Sequence, residues 1–206
     1  MKMEKLKKYF LLFVMYSIVG WLMEITLAAV CLRKFVNRGV LAGPYLPIYG
    51  VGCMLILLLV ERFKDKPWVL VLFSMLICSV LEYVTSFLLE VIFNTRWWDY
   101  SNSLINLNGR ICLETTALFG ILGALIVYVV NPLFLKLIDK LSVKTINILF
   151  YSLASIMLID AVMSFTSVSL IRNNFDGNIK DTTEEVSQNM IRFIKNIFVK
   201  IKEAIC

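Results

Sequence analysis

The stretch PWVLVLFSMLICSVLEYVTSFLLEVIF, residues 67–93, decides the fold. At 1.5 Å per residue a helix over this run is about 40 Å long, more than the roughly 30 Å of a bilayer's hydrocarbon core. Its only charges are Glu82 and Glu90, and Pro67 stands where a first helical residue tolerates proline. Working outward, four more apolar stretches follow the same rule: Tyr9 to Leu32, Leu41 to Val60, Ile111 to Leu135 and Ile146 to Ile171. The chain has 206 residues, 59% apolar and 17% charged, with a mean hydropathy of +0.79. A soluble domain of this length does not carry such a composition. The expected fold class is all-α, a polytopic transmembrane helix bundle of about five spans with a broken or re-entrant second span, plus a C-terminal amphipathic helix.

Three regions follow. Residues 1–8 form a basic N-terminus, 9–171 the transmembrane domain, and 172–206 a tail. The connecting loops are too short to hold a water-soluble catalytic domain. Lys2, Lys5, Lys7 and Lys8 before an apolar run imitate a secretory signal, but the run is too long and contains Glu24, so an uncleaved first helix is expected. With the N-terminus inside, inner segments carry ten Lys and Arg and the outer loops five, in line with the positive-inside rule, but five spans also put the tail outside with six more, so the side of the tail stays open. The loop count makes the chain a multi-pass membrane protein with its N-terminus inside. In the tail, Thr182 and Glu185 make a capping box, and Val186, Met190, Ile194, Ile197, Phe198, Ile201 and Ile205 recur at helical spacing. An amphipathic helix over about 183–205 can lie on anionic headgroups or pack on the bundle or on a second copy.

The chain has no histidine, which removes the commonest metal ligand and the commonest proton shuttle near neutral pH. Its five cysteines lack Cys-x-x-Cys spacing and read as small buried side chains, although Cys31 and Cys112 fall near one membrane face and are a candidate pair. No metal, cofactor or nucleic-acid partner is expected, and the absence of a catalytic motif weighs against an enzyme.

Charge inside the bilayer is the informative signal, because each ionisable side chain near the midplane costs roughly 2.5 to 3.5 kcal/mol on insertion scales. Five occur here: Glu24, Glu82, Glu90, Glu114 and Asp160. Counting along the spans places Glu90 and Glu114 within a turn of the outer helix ends, Glu24 roughly 12 Å in, and Glu82 and Asp160 near the midplane. The outer loops supply Arg38, Arg96 and Arg110 as matching cations. Ser79, Glu82, Ser86 and Glu90 share one helical stripe, and Ser17, Gly20, Glu24, Ala28 and Cys31 another, so these faces turn toward protein or water. An outward-facing polar cavity is the expected arrangement.

The second stretch departs from an ordinary helix. Gly39, Gly43, Pro44, Pro47, Gly50 and Gly52 crowd its first half, and non-helical backbone at membrane depth is tolerated only where protein or a wet cavity satisfies it. An unwound or re-entrant start with the backbone facing the acids is expected, making Gly39, Gly43, Pro44, Pro47 and Gly50 candidate gate residues. The alternative is a tight loop before a short tilted helix. A weak internal repeat aligns Glu24 with Glu90 and Gly39 through Gly50 with Gly109 through Gly120, which would make Glu24 with Arg38 and Glu90 with Arg110 quasi-equivalent pairs.

Gly20-Trp21 with Glu24, Asn37-Arg38-Gly39, the block Gly43-Pro44-Tyr45-Leu46-Pro47-Ile48-Tyr49-Gly50, Trp97-Trp98-Asp99-Tyr100-Ser101 and Asn108-Gly109-Arg110-Ile111 resemble the bacterial membrane family of CmpB-like ABC-transporter type IV permeases. The resemblance covers roughly Phe10 to Asp160. It implies a transporter role in the inner membrane. No Walker A loop is present, so any ATPase would be a separate polypeptide, and the short inner loops carry no Glu-Ala-Ala type coupling segment.

Three functions stay open. A transport subunit would bind a polar or zwitterionic solute through Glu24, Arg38, Glu82, Glu90, Arg110, Glu114 and Asp160, with Tyr49, Trp97, Trp98 and Asp99 beside them. A membrane enzyme would act on a lipid headgroup, with an acid as proton donor or acceptor and Arg38, Arg96 or Arg110 on a phosphate. In a structural or sensor component the same pairs would lock loops onto helix ends. Expected partners are membrane lipid, a separate ATPase subunit and a second copy of the chain.

Overall fold

Glycine and proline delay the helix of the second apolar stretch until Pro47, and the consequences of that delay run through the fold. The computed structural model describes residues 2–32, 41–94 and 96–172. In order these form α1 (Lys2–Leu32), α2 (Pro47–Leu59), a 3-10 turn (Glu61–Phe63), α3 (Pro67–Phe93), a two-stranded hairpin β1 (Asn106–Leu107) and β2 (Ile111–Cys112), α4 (Leu113–Leu125), a π-turn (Ile126–Val130), α5 (Asn131–Asp139) and α6 (Val143–Arg172). The fold is an all-α membrane bundle. Four helical segments, Met3–Val30, Pro67–Ile92, Leu113–Asp139 and Val143–Ser164, are long and apolar enough to cross a membrane by length and composition. At 13 residues α2 is a half-length helix of about 20 Å. The tail with its expected amphipathic helix lies outside the described residues.

The continuous helical path from α4 through α5 contains Pro132, which lacks an N–H and whose ring crowds the carbonyl four residues back. The π-turn just before it absorbs that misfit. Buried Asn131 at the junction accepts a hydrogen bond from the Tyr16 hydroxyl at 3.1 Å, tying α5 to α1.

Side-chain pairs fix how the helices run. At the basic end, Lys8 pairs with Asp139 at 2.6 Å and Lys7 donates to Asn147 at 2.7 Å, so α1 and α6 start at one level. Phe10 meets Phe150 edge-on further up, which makes α1 and α6 parallel. The α1 and α2 pair is antiparallel: Gly50 faces Ser17 and Phe13 so closely that a Cβ would overlap both, and Gly20 is as close to the Tyr49 ring. A core of Leu11, Leu12, Tyr16, Cys53, Ile138 and Ile146 fills the space these elements share. On the other side, Ile56, Val60, Leu70 and Val127 join α2, α3 and the π-turn. Much of what remains apolar points outward, including Leu72, Leu76, Val80 and Val91 of α3 and Ile156, Leu158, Ile159 and Val162 of α6. Lipid is the solvent for such a surface.

The helices are staggered, and this corrects one expectation. Antiparallel α3 and α4 are registered by Ser79 with Thr116 at 2.9 Å, by Gly120 against Met75, and by Gly123 against Ser74. Extending that register places Leu113, where α4 begins, level with Glu82. The outer end of α3, Phe93, lies about 16 Å further along the axis. Glu114 therefore sits deep, close to the level of Glu82, and not at the outer level of Glu90 as counting along the stretch suggested. The chain between α3 and α4 folds back along α3 by that distance. The same happens after α1: by Leu46 the backbone is back at the level of Ser17, whose carbonyl accepts the Leu46 N–H at 2.9 Å.

Candidate functional site

Two folded-back segments, residues 41–46 and 94–112, meet the acids, and each is held by one. The first hangs on Asp160. This carboxylate accepts the backbone N–H of Ala42 at 3.0 Å and of Gly43 at 2.9 Å, the Tyr45 hydroxyl in a short hydrogen bond, and the Ser164 hydroxyl at 2.8 Å. Backbone that forms no helix inside a bilayer needs such partners, and a charge that accepts four hydrogen bonds is itself compensated. Asp160 is thereby a lock on the lead-in to α2. Gly43 is close enough to Tyr45 that a Cβ would overlap its ring. Pro44 is exposed, and Pro47 occupies the first turn of α2, where a missing N–H costs nothing.

The second segment hangs on Glu90. Its Oε2 accepts Arg110 Nη2 at 2.5 Å and Arg96 Nε at 3.1 Å. Arg110 also donates to Ser86 Oγ at 3.1 Å and lies over the rings of Tyr83 and Phe87. Arg96 reaches the Asn108 carbonyl at 3.2 Å and stands 3.9 Å from Asp99. Asp99 caps the Ser101 N–H at 2.9 Å. The hairpin turns at Asn108 and Gly109, both at positive φ (53° and 68°), with Leu107 paired to Ile111 and Asn106 to Cys112. The Arg110 N–H donates to the Leu107 carbonyl at 3.0 Å, closing a turn whose two central residues, Asn108 and Gly109, are the types that accept positive φ. At Gly109 the requirement is double, because a Cβ would also overlap Asp99 and Ser101. Trp98 Nε1 donates to the Arg110 carbonyl at 2.9 Å, and its ring packs with Leu27 on the small core of Tyr100 and Cys112. Trp97 is half-buried beside it. Cys112 is a free thiol, and the side chain of Cys31, its candidate partner, lies outside what the structure describes.

Between the locks sit the remaining acids. Glu24 accepts the Tyr49 hydroxyl at 2.5 Å, joining α1 to α2. Glu82 accepts the Tyr100 hydroxyl at 3.2 Å from the folded-back segment. Its residue is only 6% exposed, and Oε2 has no hydrogen-bond partner among the described residues. Leu27, three residues after Glu24 on α1, packs on Tyr100, the hydroxyl partner of Glu82. Glu114 occupies the first turn of α4, where the helix's N-terminal dipole favours a carboxylate.

The sequence-derived candidates thus separate. Glu90 with Arg110, Arg96 and Asp99 forms one cluster, Asp160 with Gly43 another, and Glu24, Tyr49, Glu82 and Tyr100 a third between them. Arg38 and Gly39 lie outside the described residues, and with them the Glu24–Arg38 pair expected from the repeat. Sequence reasoning missed Tyr45, which sits inside the Gly-Pro-rich block as the hydroxyl able to reach an acid, and Asn131, a lone amide in an apolar run. It also passed over Asn108-Gly109, whose hairpin signal is direct.

The sequence model of a family described as "Putative ABC-transporter type IV" matches residues 11–165. No curated protein matches the chain, and no solved structure matches it.

Proposed function

The chain belongs to that ABC-transporter type IV family, and from this we propose that it is the membrane-embedded permease subunit of a transporter whose ATPase is a separate polypeptide. The N-terminus and the other basic helix ends face the cytoplasm in this reading. The solute or coupling-ion site is the cluster of Glu24, Tyr49, Glu82 and Tyr100, reached through a polar cavity opening outward, and residues 41–46 and 94–112 are the movable parts that cover it. Binding at broken or half-length helices near mid-membrane, between parts able to rock against each other, is how alternating access is built in other folds.

One observation carries the proposal. Glu82 is buried at the level where the 94–112 segment ends, one oxygen held by a hydroxyl from that segment and the other without a hydrogen bond among the described residues. A membrane acid in that condition costs several kcal/mol and is a functional-site residue by default. Glu90 and Asp160 differ, since loop groups occupy their oxygens, and they leave the solute-binding set as structural locks. Arg96 and Arg110 are committed to Glu90, which leaves a lipid-headgroup enzyme without its phosphate holder among the described residues.

The test is metabolite profiling of cells and medium in a strain lacking the chain, restored with wild type or with Glu82→Gln. Wild type should reverse the solute imbalance. Glu82→Gln should accumulate and melt like wild type yet fail to reverse it. Full restoration by Glu82→Gln removes the site, and a collapse in protein yield makes Glu82 structural.

A further inference from the structure

The deep end of the folded-back segment, just before β1, carries the most exposed apolar side chain among the described residues. Leu104 is 94% exposed, with Ile105 at 62% and Leu107 at 54%. In a loop standing in water these would be an unexplained apolar cluster. Their depth explains them. The Leu113 N–H donates to the Ile105 carbonyl at 3.0 Å, so Ile105 lies level with the first residue of α4, and hence with Glu82. Measured from Pro67 at the basic end of α3, that level is about 22 Å along the axis, and the neighbouring Tyr100 core, gauged on α1 from Lys8 to Leu27, which packs on it, is about 28 Å along. Both fall inside a hydrocarbon core of roughly 30 Å.

Two further observations agree. The two asparagine amides of the hairpin are hydrogen-bonded to protein, as lipid requires: the Asn106 amide donates to the carbonyls of Ser101 and Ser103 and accepts the Gly109 N–H, and the Asn108 amide donates to the Tyr83 hydroxyl of α3 at 2.9 Å. Leu113 and Ile121 of α4 and Leu88 and Val91 of α3, the helices that flank the segment, likewise expose apolar side chains.

We propose that Leu104, Ile105 and Leu107 form an apolar finger inserted among the acyl chains of the leaflet opposite the basic helix ends. Its occupant is lipid, not a second copy or a soluble protein. The finger then ties the segment that supplies Tyr100 to the state of that leaflet. The inference rests on the membrane fold and stands whether or not Glu82 binds a solute.

The experiment places a cysteine at Leu104, and separately at Ile105, in a chain with Cys31 and Cys206 changed to serine. The parent without the added cysteine is the labelling blank. Each variant carries an environment-sensitive nitrobenzoxadiazole label in phosphatidylcholine vesicles, and each must melt like the parent. Asp65→Cys, exposed between α2 and α3, is the aqueous control. Blue-shifted emission at 104 and 105, quenched by lipids spin-labelled high on the acyl chain and not by aqueous iodide, is the expected result. Water-like emission quenched by iodide, as at position 65, overturns the proposal. Blue-shifted emission that spin-labelled lipid leaves unquenched also overturns it, by showing protein on the finger.

Discussion

Removing the Asp160 carboxylate should release residues 41–46, and the structure sets the size of the effect. Of its four hydrogen bonds, the one to Ala42 is exposed and is discounted. Ser164 is one helical turn away on α6 and can return its hydroxyl to its own helix's carbonyls. The bonds from Gly43 and Tyr45 remain, both part-buried and both to a charge. At the low end of the range for charged hydrogen bonds, roughly 1.5 kcal/mol each, Asp160→Ala costs about 3 kcal/mol. For a chain of this length that lowers the melting midpoint by roughly 6–12 °C. Asp160→Asn keeps one acceptor and should lose about half as much. The assay is thermal unfolding of the purified protein in detergent at one fixed scan rate, since membrane proteins seldom refold on cooling and the midpoint then depends on that rate. Ala42→Cys reactivity toward a water-soluble maleimide reports the segment itself, and should rise in the Asp160→Ala background. A Tyr45→Phe cycle adds a control: the two changes should cost less together than the sum of each alone, because they break one shared contact. An unchanged midpoint, unchanged Ala42→Cys reactivity and additive losses would refute the lock.

Other expectations follow from the same geometry. Arg110→Lys keeps the charge but cannot reach Glu90 and Ser86 together while covering two rings, so it should cost about 1–2 kcal/mol and speed proteolysis within residues 94–112; wild-type behaviour in both would show the guanidinium to be dispensable. Tyr100→Phe removes the one hydrogen bond to Glu82 that crosses from the folded-back segment. It should lower the melting midpoint by roughly 2–4 °C, the equivalent of about 1 kcal/mol, and an unchanged midpoint would mean the contact carries no weight. Gly123→Leu drives a side chain into Ser74 at the α3–α4 contact; expression or thermal stability should fall by an amount equivalent to about 1–3 kcal/mol or more, and tolerance would contradict the register from which the depth of Glu114 was deduced.

Much of this architecture is written in hydropathy. Length and charge sparsity over 67–93 define α3, and the glycines and prolines before Tyr49 announce that α2 starts late, because those residues cannot extend a helix upward. The Glu90–Arg110 pair was also within reach, being an acid at a helix end and a base in the loop after it. Depth was not. Hydropathy counts Ile111 to Leu113 as the start of a span and assigns it to the surface, since composition cannot tell that residues 94–112 fold back about 16 Å along α3. That one displacement moves Glu114 inward and brings Tyr100 to Glu82. The Asp160 lock was hidden for a different reason: its partners are backbone N–H groups and a tyrosine more than a hundred positions away in sequence, and nothing in a helical stripe indicates which loop will lie across it. The sorting of acids into locks and a site therefore depends on tertiary contacts that no spacing encodes.

The central claim, that this chain is a permease subunit, is tested most directly by gentle affinity purification from native membranes at near-endogenous level, with mass spectrometry of what accompanies it. The account predicts a Walker-motif ATPase in stoichiometric amount. Recovery of the chain with lipid and no ATPase would contradict it.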